Sequence, residues 1–361
     1  MSLTPLRSGL ILAALVTLAV VGFRAGGSVA PPSRDPVKAL GDANLGLNII
    51  ERLRSGEPYY SAYGDELRRQ HYPTQSILNW RTPLHYEIAA ALSVEGAGRL
   101  LSVLALVLVG SGAIAYTRFS ALKSLTAPLL LIGAILPAFL VRPHGVALPE
   151  IWAGVLIGLS LNAYILRQWI AGALLGIAAV FLRELAVPYG IACGVLAIHA
   201  GRRRESLVWA AGGVAYLLYY SAHVIQAVGA TQPNDLAHAE SWIRWSGFPF
   251  VLKTLYAYGW LTLLPPSMSA IAAVVGLTSV FARSSPIHIR LTFVVYLVVF
   301  SVVGQPFNFY WGYLTSSIWA HAFSFSADGA ALLLRTASRP LIGTQSWTRA
   351  GGTATQSGEK V

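Results

Sequence analysis

The chain has 361 residues, 55% of them hydrophobic and only 11% charged, and its 26 lysines and arginines against 15 acidic residues give a net charge of +11. A soluble domain carries roughly a quarter of its residues as charge, which excludes an ordinary water-exposed globule. The basic residues stand at the ends of apolar runs rather than on one soluble face, so the positive charge points to a membrane and not to nucleic acid.

In chain order, the first apolar run, about Ser8 to Phe23 after Arg7, has the form of a secretory signal, with Ser28-Val29-Ala30 resembling a cleavage site. Pro31 fits poorly after a cut, so the run is expected to stay as a first span. Further apolar runs follow, giving about ten spans near residues 8–23, 98–117, 124–141, 146–166, 168–183, 185–200, 206–227, 266–283, 291–306 and 313–334. Backbone groups in lipid must be satisfied within the segment, so these runs predict helices. The alternating strands of a barrel are not visible. The expected fold is all-α: a polytopic transmembrane helical bundle over residues 1–339, with a disordered cytoplasmic tail over 340–361 rich in Gly, Thr and Ser. The fifth and sixth runs are short and nearly continuous, a helix pair broken at Arg183-Glu184.

A cytoplasmic N-terminus puts Arg7, Arg118 with Lys123, Arg167, Arg202-Arg203-Arg204, Arg283 with Arg290, and Arg335 with Arg339 all inside. Both termini are then cytoplasmic, and the outer face of the cell membrane receives a long first loop (24–97) and a second (228–265). It also receives the turn Arg142 to Gly145, the Arg183-Glu184 junction and the segment from Gln305 to Tyr313. Long loops rich in aromatics are expected to be functional rather than disordered.

Within the first loop, Gly41 to Arg54 reads as an amphipathic helix lying on the membrane surface, with Ala43, Leu47, Ile50 and Arg54 on one face. Ser55-Gly56-Glu57-Pro58 ends it, and Tyr59, Tyr60 and Tyr63 follow as headgroup-level anchors. Asp42 at the helix start suits an N-cap and suits equally a general base held at the positive helix end. Arg81, beside Trp80, suits a bidentate grip on phosphate or an interfacial anchor. Arg142 and His144 are candidates for an anion contact, Glu150 is a second candidate carboxylate, and the three also suit helix-capping surface charges. Arg183 and Glu184 interrupt the longest apolar region, where ionisable residues usually face a cavity or a partner. Adjacent helical positions point about 100° apart, so these two are not expected to need each other. Asp328, deep in the last span, is expected to snorkel or pair with Arg335. The motifs GxxxxGK[ST], HExxH and CxxC do not occur, Cys193 is the single cysteine, and the eight histidines lack ligand spacing. No metal site is expected from these residues.

With these residues in place, the chain resembles the GT-C superfamily of membrane glycosyltransferases, the polyprenyl-phosphate-dependent type. The resemblance lies in a first span followed by a long loop with Gly41-Asp42 and the Ser55 to Tyr60 pattern. It continues in Arg81-Thr82-Pro83-Leu84, Pro149 to Gly154, Phe181 to Glu184 and Asn308 to Gly312. It implies transfer of a sugar, with inversion, from a polyprenyl-phosphate-linked donor to a lipid, glycan or protein acceptor at the outer face. It implies Asp42 as the base, Arg81, Arg142, His144 or Arg183 on the donor phosphate, and Glu150 or Glu184 orienting those cations or binding sugar. Asp35 and Asp42 are separated by six intervening residues, whereas many members pair their loop acids; this leaves open which is the base and whether a divalent metal takes part. Two other readings fit the residues: a transporter or lipid-scrambling protein working through Arg183 and Glu184, and a non-catalytic membrane assembly subunit.

Overall fold

A computed structural model describes residues 3–26, 41–140, 143–237, 241, 243, 245–265, 267–305 and 307–339. Among them the chain is all-helical, its extended pairing limited to an isolated bridge between Ile243 and Val303. The helices are α1 (Pro5–Gly26), α2 (Gly41–Arg54), α3 (Tyr59–Arg69), α4 (Leu84–Tyr116), α5 (Ala121–Leu140), α6 (Pro149–Ile165) and α7 (Trp169–Leu182). They continue as α8 (Val187–His199), α9 (Arg203–Gly229), α10 (Gly247–Leu255), α11 (Met268–Thr278), α12 (Ile287–Val302) and α13 (Gly312–Ala337). Each apolar run falls on one of them. Three stretches, Pro5–Arg24, Ile77–Tyr116 and Arg203–Gly229, are long and apolar enough to cross a membrane. Leu10, Val16, Leu217 and Ile225 on α1 and α9 are each more than half exposed, an apolar surface of the kind lipid covers.

The core is built around α6. It is apolar nearly all round, and every residue from Pro149 to Ile165 is buried among α4, α7 and α13. Gly154 brings α6 against α13 so closely that a Cβ there would lie 2.5 Å from the Tyr313 carbonyl oxygen, and Ser317 donates to the Gly154 carbonyl at 2.6 Å. At the far end of α6, Tyr164 donates to Glu205, accepts from the Trp209 indole at 3.0 Å and stacks on His288, tying α6 to α9 and α12. Asp328 pairs with Lys123 and Ser284 at this end, not with Arg335, because α5 runs alongside α13 and brings Lys123 to the carboxylate.

At the other end, α2 and α3 fold onto the bundle, with one face of α2 buried in protein. The face α2 buries is Ala43, Leu45, Gly46, Ile49 and Ile50, rotated from the expected stripe. Gly46 sets that rotation: a Cβ would meet the Ala147 carbonyl oxygen at 2.8 Å and the Ala147 side chain at 2.9 Å. Gly56 adopts φ +90°, the left-handed turn that ends α2 as its sequence requires. Tyr59, Tyr63 and Trp80 are interior rather than headgroup anchors, at 6%, 1% and 2% exposure; the Trp80 indole donates to the Thr74 carbonyl at 2.9 Å. Their polar atoms find partners in the folded loop, which frees the rings to pack.

The two long loops are tied together by Arg68, which donates to Asp235 at 2.7 and 3.1 Å and to the Ala230 carbonyl at 2.7 Å. Hydrogen bonding from Arg68 holds the Asp235 carboxyl below the usual carboxylate range. A depressed folded pKa gives stability that is complete above the unfolded value of about 4 and is lost as pH falls through the folded value. Asp235→Asn is therefore expected to flatten the drop in melting temperature below about pH 4, as followed by thermal unfolding in detergent. Gly46→Ala is expected to lower stability by about 1–3 kcal/mol. Gly110→Ala in α4, where nothing lies within 4 Å, is expected to have no destabilising effect in the same melts.

Candidate functional site

Six separate segments converge at the end of the bundle covered by α2 and α3. These are the first turn of α2, the residues following α3, the stretch before α4, the start of α6, the junction of α7 and α8, and the turn before α13. The junction is the structural centre. Helix α7 stops at Leu182, Arg183 is extended (φ −152°, ψ 118°), and a short 3-10 turn over Glu184–Ala186 leads into α8. Because Arg183 is not helical, its guanidinium reaches back to the neighbouring Glu184, and the pairing that helical geometry disfavours is made.

Arg183 is completely buried, at 0% exposure. Its Nε donates to Glu150 Oε1 at 2.8 Å, and Glu150, in the first turn of α6, is 1% exposed. Glu184 also faces Arg81, 3.6 Å from Nη1. Arg81 is held from several sides: its carbonyl accepts from the Tyr59 hydroxyl at 2.6 Å, Nη1 donates to the Leu78 carbonyl at 3.1 Å, and Nη2 donates to the Tyr310 hydroxyl at 3.2 Å. The result is a chain of charge from Glu150 through Arg183 and Glu184 to Arg81, ending on Tyr310.

Asp42 enters the same space. It lies in the first turn of α2 and accepts a hydrogen bond from the Tyr72 hydroxyl. Burial first, and then the Asp42 carboxylate, push the Tyr72 phenol far above its ordinary range, so that hydroxyl stays protonated and donates. The same two causes push up Tyr310, which places Asp42 within electrostatic reach of the ring that touches Arg81. His144 Nε2 lies 2.9 Å from Asn44 Oδ1, so His144 braces α2 two residues from Asp42 and makes no direct contact with the arginines among the hydrogen bonds of the site. Asp35 and Arg142 lie outside the described residues. Tyr72 and Tyr310 are members of the cluster that sequence reasoning did not assign, although Tyr310 stands within the Asn308 to Gly312 pattern.

Three buried polar atoms in this cluster have no hydrogen-bond partner: Arg183 Nη2, Glu150 Oε2 and Glu184 Oε2. Buried polar atoms are paired in the great majority of cases, so three orphans around one guanidinium mark a place where water or a ligand belongs. An apolar cavity of about 240 Å³ is lined by Leu84 and Ile88 of α4, Trp152 and Leu156 of α6, and Phe181 and Leu182 of α7, the last of these next in the chain to Arg183. Its shape depends on a kink in α4. Ser93 adopts φ 65° and ψ 160°, rare for a side-chain-bearing residue, and its hydroxyl accepts from the Gly96 amide at 3.2 Å to start the second half of the helix. Leu100 and Leu104 of that second half complete the wall. No group of three or more His, Cys, Asp or Glu side chains able to hold a metal occurs among the described residues.

No family model, no curated protein and no solved structure matches this chain.

Removing one member of a buried ion pair leaves the other charge uncompensated, at a cost of about 3–5 kcal/mol. Arg183→Met and Glu150→Met are each expected to lose stability on that scale. The double variant is expected to recover much of it, which a double-mutant cycle of thermal melts measures.

Proposed function

We propose that this protein is a membrane glycosyltransferase of the GT-C type, which transfers a sugar from a polyprenyl-phosphate donor to an acceptor hydroxyl at the outer face of the cell membrane. On this reading the ten apolar helices cross the bilayer, both termini are cytoplasmic, and α2, α3 and the loop over 228–265 cover the bundle on the outside. The observation that carries the reading is a charged cluster containing Asp42, Arg81 and Arg183 together with an apolar cavity whose wall includes Leu182, the chain neighbour of Arg183. A lipid phosphate has these two parts, a charged head and an isoprenoid tail, and this arrangement suits both.

The chemistry follows from the residues. The Asp42 carboxylate takes the proton of the acceptor hydroxyl as that oxygen attacks the anomeric carbon. The bond from that carbon to the phosphate oxygen breaks, and the lipid phosphate leaves with the electron pair. Arg81 and the free Nη2 of Arg183 stabilise the charge that gathers on the phosphate, and Glu150 and Glu184 fix the two guanidinium planes. Tyr72 is a positioning residue that aims the Asp42 carboxylate. The attack from the face opposite the leaving phosphate inverts the anomeric centre.

A second reading, movement of a lipid or ion through the bundle, draws support from the broken α7–α8 pair, because interrupted helices with charge at the break are a transporter feature. The two separate on product: a transferase cleaves the sugar–phosphate bond, and a transporter leaves it whole.

Purified protein given a panel of polyprenyl-phosphate sugars is expected to release or transfer sugar. Folded Asp42→Asn is expected to lose about 10²–10⁴-fold in rate. Tyr72→Phe should fall less and keep its substrate KM. Turnover that survives in Asp42→Asn would move the base elsewhere, and intact donor crossing proteoliposome membranes would favour the second reading.

A further inference from the structure

The two most exposed large apolar side chains among the described residues stand next but one to each other in the loop over 228–265: Trp245 at 81% and Ile243 at 76%. They do not hang on a loose segment. Ile243 forms an antiparallel bridge with Val303, the Ser246 amide donates to the Ser301 carbonyl at 3.0 Å, and Gln305 Nε2 donates to the Ser241 carbonyl at 2.7 Å. The backbone is therefore tied to the end of α12 while both side chains are turned away from the protein. Tyr59, Tyr63 and Trp80, by contrast, all go inward. A tryptophan and an isoleucine held out by a tied backbone mark a contact surface, and a membrane is one such surface.

The position says which surface it is. Val298, one turn before α12 ends at Val302, is 58% exposed, so α12 carries bare apolar surface up to the level where the segment is bridged. An indole suits the headgroup level, where its ring meets hydrocarbon and its N–H meets water. In sequence the segment reads Ser241-Trp242-Ile243-Arg244-Trp245-Ser246, a mixture of tryptophan and arginine of the kind that settles at a lipid–water boundary. We propose that Ile243 and Trp245 form a membrane-interface anchor, seated in the outer leaflet of the bilayer beside the end of α12. This goes beyond the transferase reading and rests only on its topology, in which α12 crosses the bilayer with its C-terminal end outside. The same loop grips the cover of the charged cluster: Asp235 pairs with Arg68 on α3, and the Leu236 carbonyl accepts from the Gln75 amide at 3.1 Å. One loop thus joins the bilayer contact to α3.

Cys193 is the single cysteine and is fully buried, so a cysteine added at the surface takes a nitroxide label selectively. Full-length protein is labelled singly at Ile243→Cys or Trp245→Cys, which leaves the other anchor residue in place. Leu217→Cys on α9 and Glu51→Cys on α2, both exposed positions, serve as the lipid and water references. All four variants are checked by thermal melts and placed in nanodiscs of phosphatidylcholine and phosphatidylglycerol. Collisions with oxygen, which concentrates in hydrocarbon, are compared with collisions with a water-soluble nickel chelate. The labels at 243 and 245 are expected to favour oxygen over nickel, at a depth of about 5–10 Å into the headgroup–acyl boundary. Nickel access equal to that at position 51 would overturn the anchor and leave the topology of the bundle standing. Shielding from both reagents would also overturn it, because the cover would then be protein, such as a second copy of this chain. A label at position 217 as wet as the one at 51 would remove the bilayer topology itself, and the anchor with it.

Discussion

A guanidinium with no exposure to solvent governs the architecture at the end of this bundle covered by α2 and α3. Desolvating Arg183 carries a penalty of several kcal/mol, which only well-placed counter-charges offset. One counter-charge, Glu150, stands in the first turn of α6, the helix that the whole core surrounds. The other, Glu184, is adjacent in sequence and reaches the guanidinium only because α7 stops and Arg183 is extended. The helix break is thus the backbone's answer to a buried charge. Glu184 then offers its oxygen to Arg81 as well, which draws the stretch before α4 over the site, and Tyr310 closes the chain from the last turn before α13.

The long first loop is the second constraint. Its helices are part of the protein interior: Ile49 and Ile50 of α2 and Tyr63 of α3 are almost completely buried. Asn48 on α2 donates to Glu66 on α3 at 2.7 Å, and Arg69 and Gln70 bond to the same carboxylate. Burial works to raise the Glu66 pKa, but these three hydrogen bonds outweigh it and hold the carboxyl below its ordinary range, ionised at neutral pH. A loop stitched in this way holds Asp42 at a fixed place over the charged cluster. Rigid support of this kind is what the base role proposed for Asp42 requires.

Much of this was legible in the sequence because lipid leaves so few choices. Apolar runs bounded by arginines predict helices, and helices stand over each of them. Gly56 ended α2 where its residue type said it would. Asp42, Arg81, Glu150, Arg183 and Glu184 are scattered over about 140 positions, yet charge placement alone assigned them to one face, and they converge at one end of the bundle. What the sequence hid depends on tertiary contact. The Arg183–Glu184 pairing requires an extended residue that periodicity does not foresee. Tyr59, Tyr63 and Trp80 have the composition of an interfacial belt and became core because loop carbonyls accept their polar atoms. Lys123 displaced Arg335 as the partner of Asp328 through the packing of α5 on α13, and Tyr72 carried no local mark of its contact with Asp42.

The most direct measurement is an experimental structure of the protein bound to a polyprenyl-phosphate analogue. The account predicts the phosphate beside Arg183 Nη2 and Arg81, within reach of the surface that Asp42 faces, and the first isoprene units in the cavity between α4, α6 and α7. A phosphate bound at the opposite end of the bundle, near Arg202 and Lys123, with Arg183 still closed on its two glutamates and the cavity empty, would contradict it.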